Sequence, residues 1–183
     1  MSNLLFPVKL AGLTAAFCTS FFLLGCGYRP AYAGPEPAEK LSVVPGPTRI
    51  PQAAALGAAL GGARAELSRA GALRAGSGYP RMVVELVRVD EKSAGIAVSG
   101  GGVPLARGST VAVTGRAWVE DAKGAEPSRD TGDLRRIEQY ASDADSRGDS
   151  LRYDQAVRAA ADELGHALGR LVLGLPEPTV EPL

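Results

Sequence analysis

The chain has 183 residues, with 20 basic and 20 acidic side chains, one histidine and two cysteines, and 45% of it is hydrophobic. That even balance offers no basic surplus for nucleic acid. One histidine and two cysteines are too few for a histidine- and cysteine-built metal cage, and no nucleophile–base pair is apparent. A chain of this size makes one ordinary domain, able to bury about 68–70% of its unfolded surface.

The first 25 residues have the parts of a secretory leader: a positive amino terminus, Lys9, and an apolar run from Leu10 to Leu24 broken only by Gly12, Thr14, Thr19 and Ser20. The run falls short of the roughly 20 apolar residues a bilayer span needs. It closes on Leu23-Leu24-Gly25-Cys26. This resembles the lipobox of bacterial lipoprotein signal peptides. The resemblance implies cleavage between Gly25 and Cys26, an S-linked diacylglycerol on Cys26 and an N-acyl chain on its amino group. At about 0.8 kcal/mol for each buried CH₂, several chains make an effectively permanent anchor. Gly27, where many inner-membrane lipoproteins carry aspartate, points to the outer membrane. Cys18 leaves with the leader and Cys26 is acylated, so the mature chain has no disulfide.

Four segments follow from this reading: a leader (1–25), a lipid-anchored tether (26–40), a single α+β domain (41–175) and a loose tail (176–183). The tether carries Pro30, Pro35 and Pro37 and stays extended. Fully stretched, the part from Gly27 to Lys40 reaches about 49 Å. Tyr28 and Tyr32 suit either the membrane interface or packing. Leu41–Val44 reads as a strand stopped by Pro45-Gly46-Pro47. A helix follows, with Pro51 at its first position and a stripe of Leu56, Leu60, Ala63, Leu67 and Ala70, ending at Gly71. Gly57, Gly61 and Gly62 weaken it and point to close packing against a neighbour.

Arg81–Asp90 reads as a strand with Met82, Val84 and Leu86 on one face and Val83, Val87 and Val89 on the other, both covered. Ser93–Ser109 is a long connection that extends this strand or forms a ragged hairpin. Thr110–Glu120 alternates most cleanly: Val111, Val113, Ala117 and Val119 are dry, while Thr110, Thr114, Arg116, Trp118 and Glu120 are polar or partner-facing. A turn at Asp121–Gly124 precedes a fourth strand within Leu134–Ala141. Ser142–Asp149 is polar and turn-like. A last helix, capped by Asp149 or Ser150, carries Tyr153, Val157, Ala160, Ala161, Leu164, Leu168, Leu171 and Val172 and stops at Gly174 and Pro176. The order β-α-β-β-β-α predicts a two-layer sandwich, with both helices on one face of a mixed or antiparallel four-stranded sheet.

The lipobox running into Cys26-Gly27-Tyr28, the leucine-striped helix, the strand ending Arg88-Val89-Asp90, the strand closing on Asp121-Ala122-Lys123-Gly124 and the helix with Ala159-Ala160-Ala161-Asp162-Glu163-Leu164 together resemble the LptE family. These are small outer-membrane lipoproteins of lipopolysaccharide assembly. The resemblance implies a non-catalytic plug and assembly partner of a large β-barrel protein, engaging lipopolysaccharide. It would sit at the outer membrane, facing the periplasm or the barrel lumen, with no cofactor beyond the lipid on Cys26. Arg88 and Arg116 then become candidate phosphate contacts, because the guanidinium fork matches phosphate. The plainer reading leaves them solvated or paired with Glu85 and Glu120. Trp118 is a candidate partner anchor or a cover for the sheet. The alternative class is an accessory lipoprotein of a lipid-trafficking transporter, or an activator of cell-wall synthesis.

Catalysis is hard to build from what remains. His166 has Glu163 three residues before it and reads as a solvated helix face, with no second histidine for a metal. Gly100-Gly101-Gly102 lacks the lysine and hydroxyl of a phosphate loop. Asp143, Asp145 and Asp149 lack the spacing of a calcium loop. A lipid-anchored hydrolase is therefore disfavoured.

Overall fold

The computed structural model describes residues 39–47, 50–98, 104–142 and 146–176. The leader, Cys26, the tether to residue 38, the Gly100–Gly102 run, Asp143, Asp145 and the tail after Pro176 lie outside them. The elements in chain order are β1 (Ser42–Pro45), α1 (Ala53–Arg69), β2 (Arg81–Val98), β3 (Pro104–Glu120), β4 (Arg129–Asp130), β5 (Leu134–Ser142) and α2 (Ser146–Val172). The fold is a two-layer α+β sandwich. β1 runs parallel to β2, with α1 as the crossover that a parallel pair requires. β2 and β3 are antiparallel, and β4 and β5 both pair antiparallel with β3. Leu41 also bridges to Leu73, so the start of the domain is bonded on both flanks.

The dry face is the one that the alternation of β3 announces. Val111, Val113, Ala117 and Val119 are fully buried beside Met82, Val84 and Leu86 of β2. Leu60 and Leu67 of α1 and Val157, Leu164, Leu168 and Val172 of α2 close the core from above.

β2 departs from its simple pattern. A bulge lies between Leu86 and Arg88, and beyond it Arg88 stands opposite Thr114 and Val89 opposite Val113. One extra residue flips the side-chain parity. Val89 therefore packs against the core, while Val87 is 44% exposed. The expectation that Val83, Val87 and Val89 share a covered face is corrected on this point. The connection from Ser93 to Ser109 is largely strand, since β2 runs to Val98 and β3 begins at Pro104. β4, only two residues long, has no hydrophobic pattern to announce it.

Two helix starts are also corrected. α1 begins at Ala53, with Gln52 at the cap making no side-chain cap bond, so Pro51 lies outside the helix. α2 begins at Ser146, which places Asp149 in its first turn instead of before it. A carboxylate there still complements the positive helix end. Both helices stop as expected. Gly71 and Gly174 take positive φ of 70° and 71°. In each case the residue after the glycine bonds back across the last turn, Ala72 N–H to the Leu67 carbonyl and Leu175 N–H to the Arg170 carbonyl.

α1 and α2 cross with their backbones nearly touching. A Cβ built on Gly165 would lie 2.0 Å from the Ala59 carbonyl oxygen, and one on Gly62 2.2 Å from that of Asp162. Gly57, by contrast, is exposed with nothing within 4 Å. Of the three α1 glycines, then, only Gly62 answers to close packing. Gly57→Ala should raise stability by up to about 1 kcal/mol through helix propensity. Gly165→Ala should lower it by about 3 kcal/mol, because backbone must move to admit the methyl. Urea melts of the two variants against the parent check both signs.

Candidate binding face

Both helices pack on one face of the sheet, and the residues singled out as candidates lie together on the other. Antiparallel register sets them in rows. Arg81 stands opposite Glu120, Val83 opposite Trp118, Glu85 opposite Arg116 and Arg88 opposite Thr114. β5 extends the last row, with Arg135 opposite Thr114.

The first three rows are internally satisfied. The Arg81 Nη2 lies 2.8 Å from Glu120 Oε2, and the Trp118 indole N–H donates to Glu120 Oε1 at 3.1 Å. The Arg116 Nε and Nη2 both donate to Glu85 Oε2 at 2.8 Å, and the guanidinium carbon lies 5.6 Å from the Trp118 ring centroid. Arg81 likewise stacks on Tyr79 at 4.4 Å. Two ion pairs of opposite orientation thus flank Val83 and Trp118, each a cross-strand pair of the kind that stabilises sheets. Arg116 is held above its ordinary range first by the hydrogen bond it donates to Glu85 and then by that carboxylate's charge. Trp118 is half-buried, its ring edge beside the Gly46 backbone.

The Arg88–Thr114–Arg135 row differs. Arg88 is 63% exposed and pairs with Asp90, its neighbour two along, at 2.7 Å. Arg135 is exposed. Between them the Thr114 Oγ1 is buried and has no hydrogen-bond partner among the described residues. An unsatisfied buried hydroxyl calls for an explanation. Two arginines stand in register on either side of it, a place for an acceptor-rich, anionic group. Arg135 was not among the sequence candidates. Its signal is the register of β5, which appears only once the hairpins are assembled.

Of the plainer expectations for the arginines, Arg116 takes Glu85. Glu120 goes to Arg81, and Arg88 takes Asp90.

His166 does not lie on a solvated face with Glu163. Its Nδ1 is 3.3 Å from Glu66 Oε2 on α1, and its Nε2 is 3.7 Å from Asp162. Glu66 is buried at 2% exposure, and Arg69 at 2.8 Å and Arg170 at 3.3 Å complete its shell. This cluster binds the two helices. Among the described residues no three histidine, cysteine, aspartate or glutamate side chains gather as metal ligands do. No described helix is long and apolar enough to cross a membrane.

No protein-family model matches the chain, and no curated protein matches it in sequence. Solved structures do match in fold. A minor lipoprotein from Acinetobacter baumannii is 15% identical with a TM-score of 0.51, covering 76% of this chain and 94% of its own. A lipoprotein from Caulobacter crescentus is 9% identical with a TM-score of 0.50, covering 72% of this chain and 86% of its own. At these identities the likeness is one of fold.

Glu120 provides a test of the ladder. The Trp118 hydrogen bond, then that of Arg81, holds its carboxyl below the ordinary value of 4.5. The folded state therefore binds this proton less tightly than the unfolded chain. Its contribution is present above the ordinary carboxylate range and is lost as pH falls through the lowered pKa. Glu120→Gln should flatten the acid limb of a melting-temperature profile below about pH 4.5 while barely changing its shape above pH 7.

Proposed function

We propose that this protein is a lipid-anchored, non-catalytic binding subunit of the outer membrane. In this reading it serves lipopolysaccharide assembly as the partner and plug of a large β-barrel. Cys26 carries the lipid after cleavage behind Gly25. The sheet face opposite the helices meets the barrel or its cargo. The observation that carries the reading is the Arg88–Thr114–Arg135 row: two exposed guanidinium groups flanking a buried hydroxyl that lacks a partner. Phosphate is the ligand class that such a row fits, because bidentate arginine and a hydroxyl donor match its oxygens. Fold likeness to two lipoproteins and the Leu23–Cys26 motif support the anchored setting.

Arg116 has a subordinate role here. Its Nε and Nη2 both already bond Glu85, so a phosphate would displace a two-point ion pair there, whereas at Arg88 it would displace a more exposed contact from Nε to Asp90. Trp118, steadied by Glu120, offers an apolar surface beside the charged rows and suits a protein partner.

The test is co-purification of native protein from detergent-solubilised outer membrane, with mass spectrometry of the amino-terminal peptide. A stable complex with a large β-barrel and an acylated Cys26 are the expected results. Recovery with transporter or wall-synthesis enzymes alone would shift the reading to an accessory lipoprotein. In a direct binding assay with purified lipopolysaccharide, Arg88→Ala and Arg135→Ala should each weaken affinity about tenfold or more, the scale of a charged hydrogen bond. Arg116→Ala should cost clearly less. Equal, negligible effects of all three would remove the row from the binding site.

A further inference from the structure

β5 is an edge strand. It is nine residues long and pairs only with β3 among the described strands. The way β3 turns its backbone decides which groups of β5 are left over. The Ala117 and Val119 carbonyls accept from Thr131 and Ser128 N–H, so the odd residues of β3 bond toward the β4 and β5 side. Alternation carries this along to Gly115, Val113, Val111 and Ser109, which stand opposite Leu134, Arg136, Glu138 and Tyr140. Those residues of β5 bond β3, and Arg135, Ile137, Gln139 and Ala141 turn their backbone groups outward. Near the ends of the strand two outward carbonyls accept from side chains, that of Arg135 from Arg136 Nη1 at 2.9 Å and that of Ala141 from Arg152 Nη1 at 3.2 Å. Between them, Ile137 and Gln139 meet no outward backbone partner among the described residues.

Such an edge is a template for another strand. The Ile137 side chain is 51% exposed, the most exposed large apolar group described on the sheet. Charge order selects the occupant. Turned about a two-fold axis at Ile137, a second copy of β5 runs antiparallel to the first and sets isoleucine on isoleucine. Arg136 then faces the partner's Glu138, Arg135 faces the partner's Gln139, and Leu134 faces the partner's Tyr140. Each match recurs on the other side of the axis, as an isologous interface requires. Axes at Arg135, Arg136 or Glu138 would set like charge against like, which destabilises a sheet pair. A groove of about 230 Å³ lies along the same edge between β5 and α2, lined by Glu138, Tyr140, Arg152, Gln155 and Ala159. It opens where the partner's Leu134 and Arg136 arrive. We infer that β5 is a self-pairing edge, through which two copies of this chain join their sheets into one. The backbones of Ile137 and the partner's Ile137 exchange hydrogen bonds across the axis, and Gln139 N–H donates to the partner's Arg135 carbonyl. Arg136 turns from the Arg135 carbonyl to the partner's Glu138, which opens that carbonyl to the incoming strand. The Arg88–Thr114–Arg135 row continues across the seam into the partner's Gln139. The pairing rests neither on the proposed barrel nor on phosphate.

The experiment uses the chain from residue 26 onward with Cys26→Ser, so that acyl chains do not drive association and every described element is retained. Sedimentation equilibrium should show a concentration-dependent dimer. Arg136→Glu and Glu138→Arg should each weaken it about tenfold or more, since each sets like charges opposite on both sides of the axis. Arg136→Glu/Glu138→Arg restores opposite charges in the same register and should bring the dimer back. Ile137→Asp, at an exposed position, should abolish it, with circular dichroism and melting temperature confirming the fold. Should the charge variants not fold, Ile137→Asp decides. In the membrane-anchored protein, a photocrosslinker at position 137 should give a species of twice the chain mass. Self-pairing is overturned by a parent that stays monomeric at every concentration, by variants that dimerise as well as the parent, or by a double variant no stronger than the singles. Crosslinks to other proteins alone also overturn it and assign the edge to a different occupant. Whether a barrel co-purifies is a separate measurement, so the two readings stand or fall separately.

Discussion

The near-contact of two helix backbones at Gly62 and Gly165 sets the architecture. Helices ordinarily pack 8–10 Å apart, separated by their side chains. Here the missing side chains let the carbonyls of Ala59 and Asp162 come within 2.0 and 2.2 Å of where a methyl would be. A pair of helices drawn this close forms a single compact layer, with small residues such as Ala59, Ala63, Ala160 and Ala161 buried along it. That layer covers one face of the sheet, and the other is left to cross-strand side-chain chemistry. The open arginine rows thus follow from two glycines on the opposite side of the molecule.

Glu66 adds specificity to the same contact. A buried carboxylate costs several kcal/mol of desolvation unless it is met by partners. Three basic side chains meet this one, two of them from α2, about a hundred residues further along the chain. Sliding one helix along the other would strand the charge, so the pair works as a register pin. Gly169 belongs to the arrangement, because a methyl there would press within 3.0 Å of the Glu66 Cβ.

The sequence carried much of this, though unevenly. Where one face is dry and regular, alternation suffices: Val111, Val113, Ala117 and Val119 are placed by period alone. It fails where a single residue is inserted, because the Val87 bulge reverses the face of Val89 without any change in composition. Glycine counts mislead in the same way, since Gly57 and Gly62 look alike in sequence and only one faces a neighbour. The partners of His166 and of Arg135 lie on other elements and depend on assembled geometry, so local spacing assigned them to solvent or missed them. Arg88, Arg116 and Trp118 were found because the polar side of β2 and β3 is legible. Which of the arginines is already engaged was not.

The amino-terminal edge of the domain has a mechanical meaning. Leu41 donates to the Ala72 carbonyl and accepts from Arg74 N–H, while Ser42 donates to the Pro80 carbonyl on the opposite flank. The side chain of Leu41 is fully enclosed. Tension arriving at this end is shared by bonds on both sides of the strand. A body moored by its leading end would in this way resist being peeled open by drag on its own mooring line.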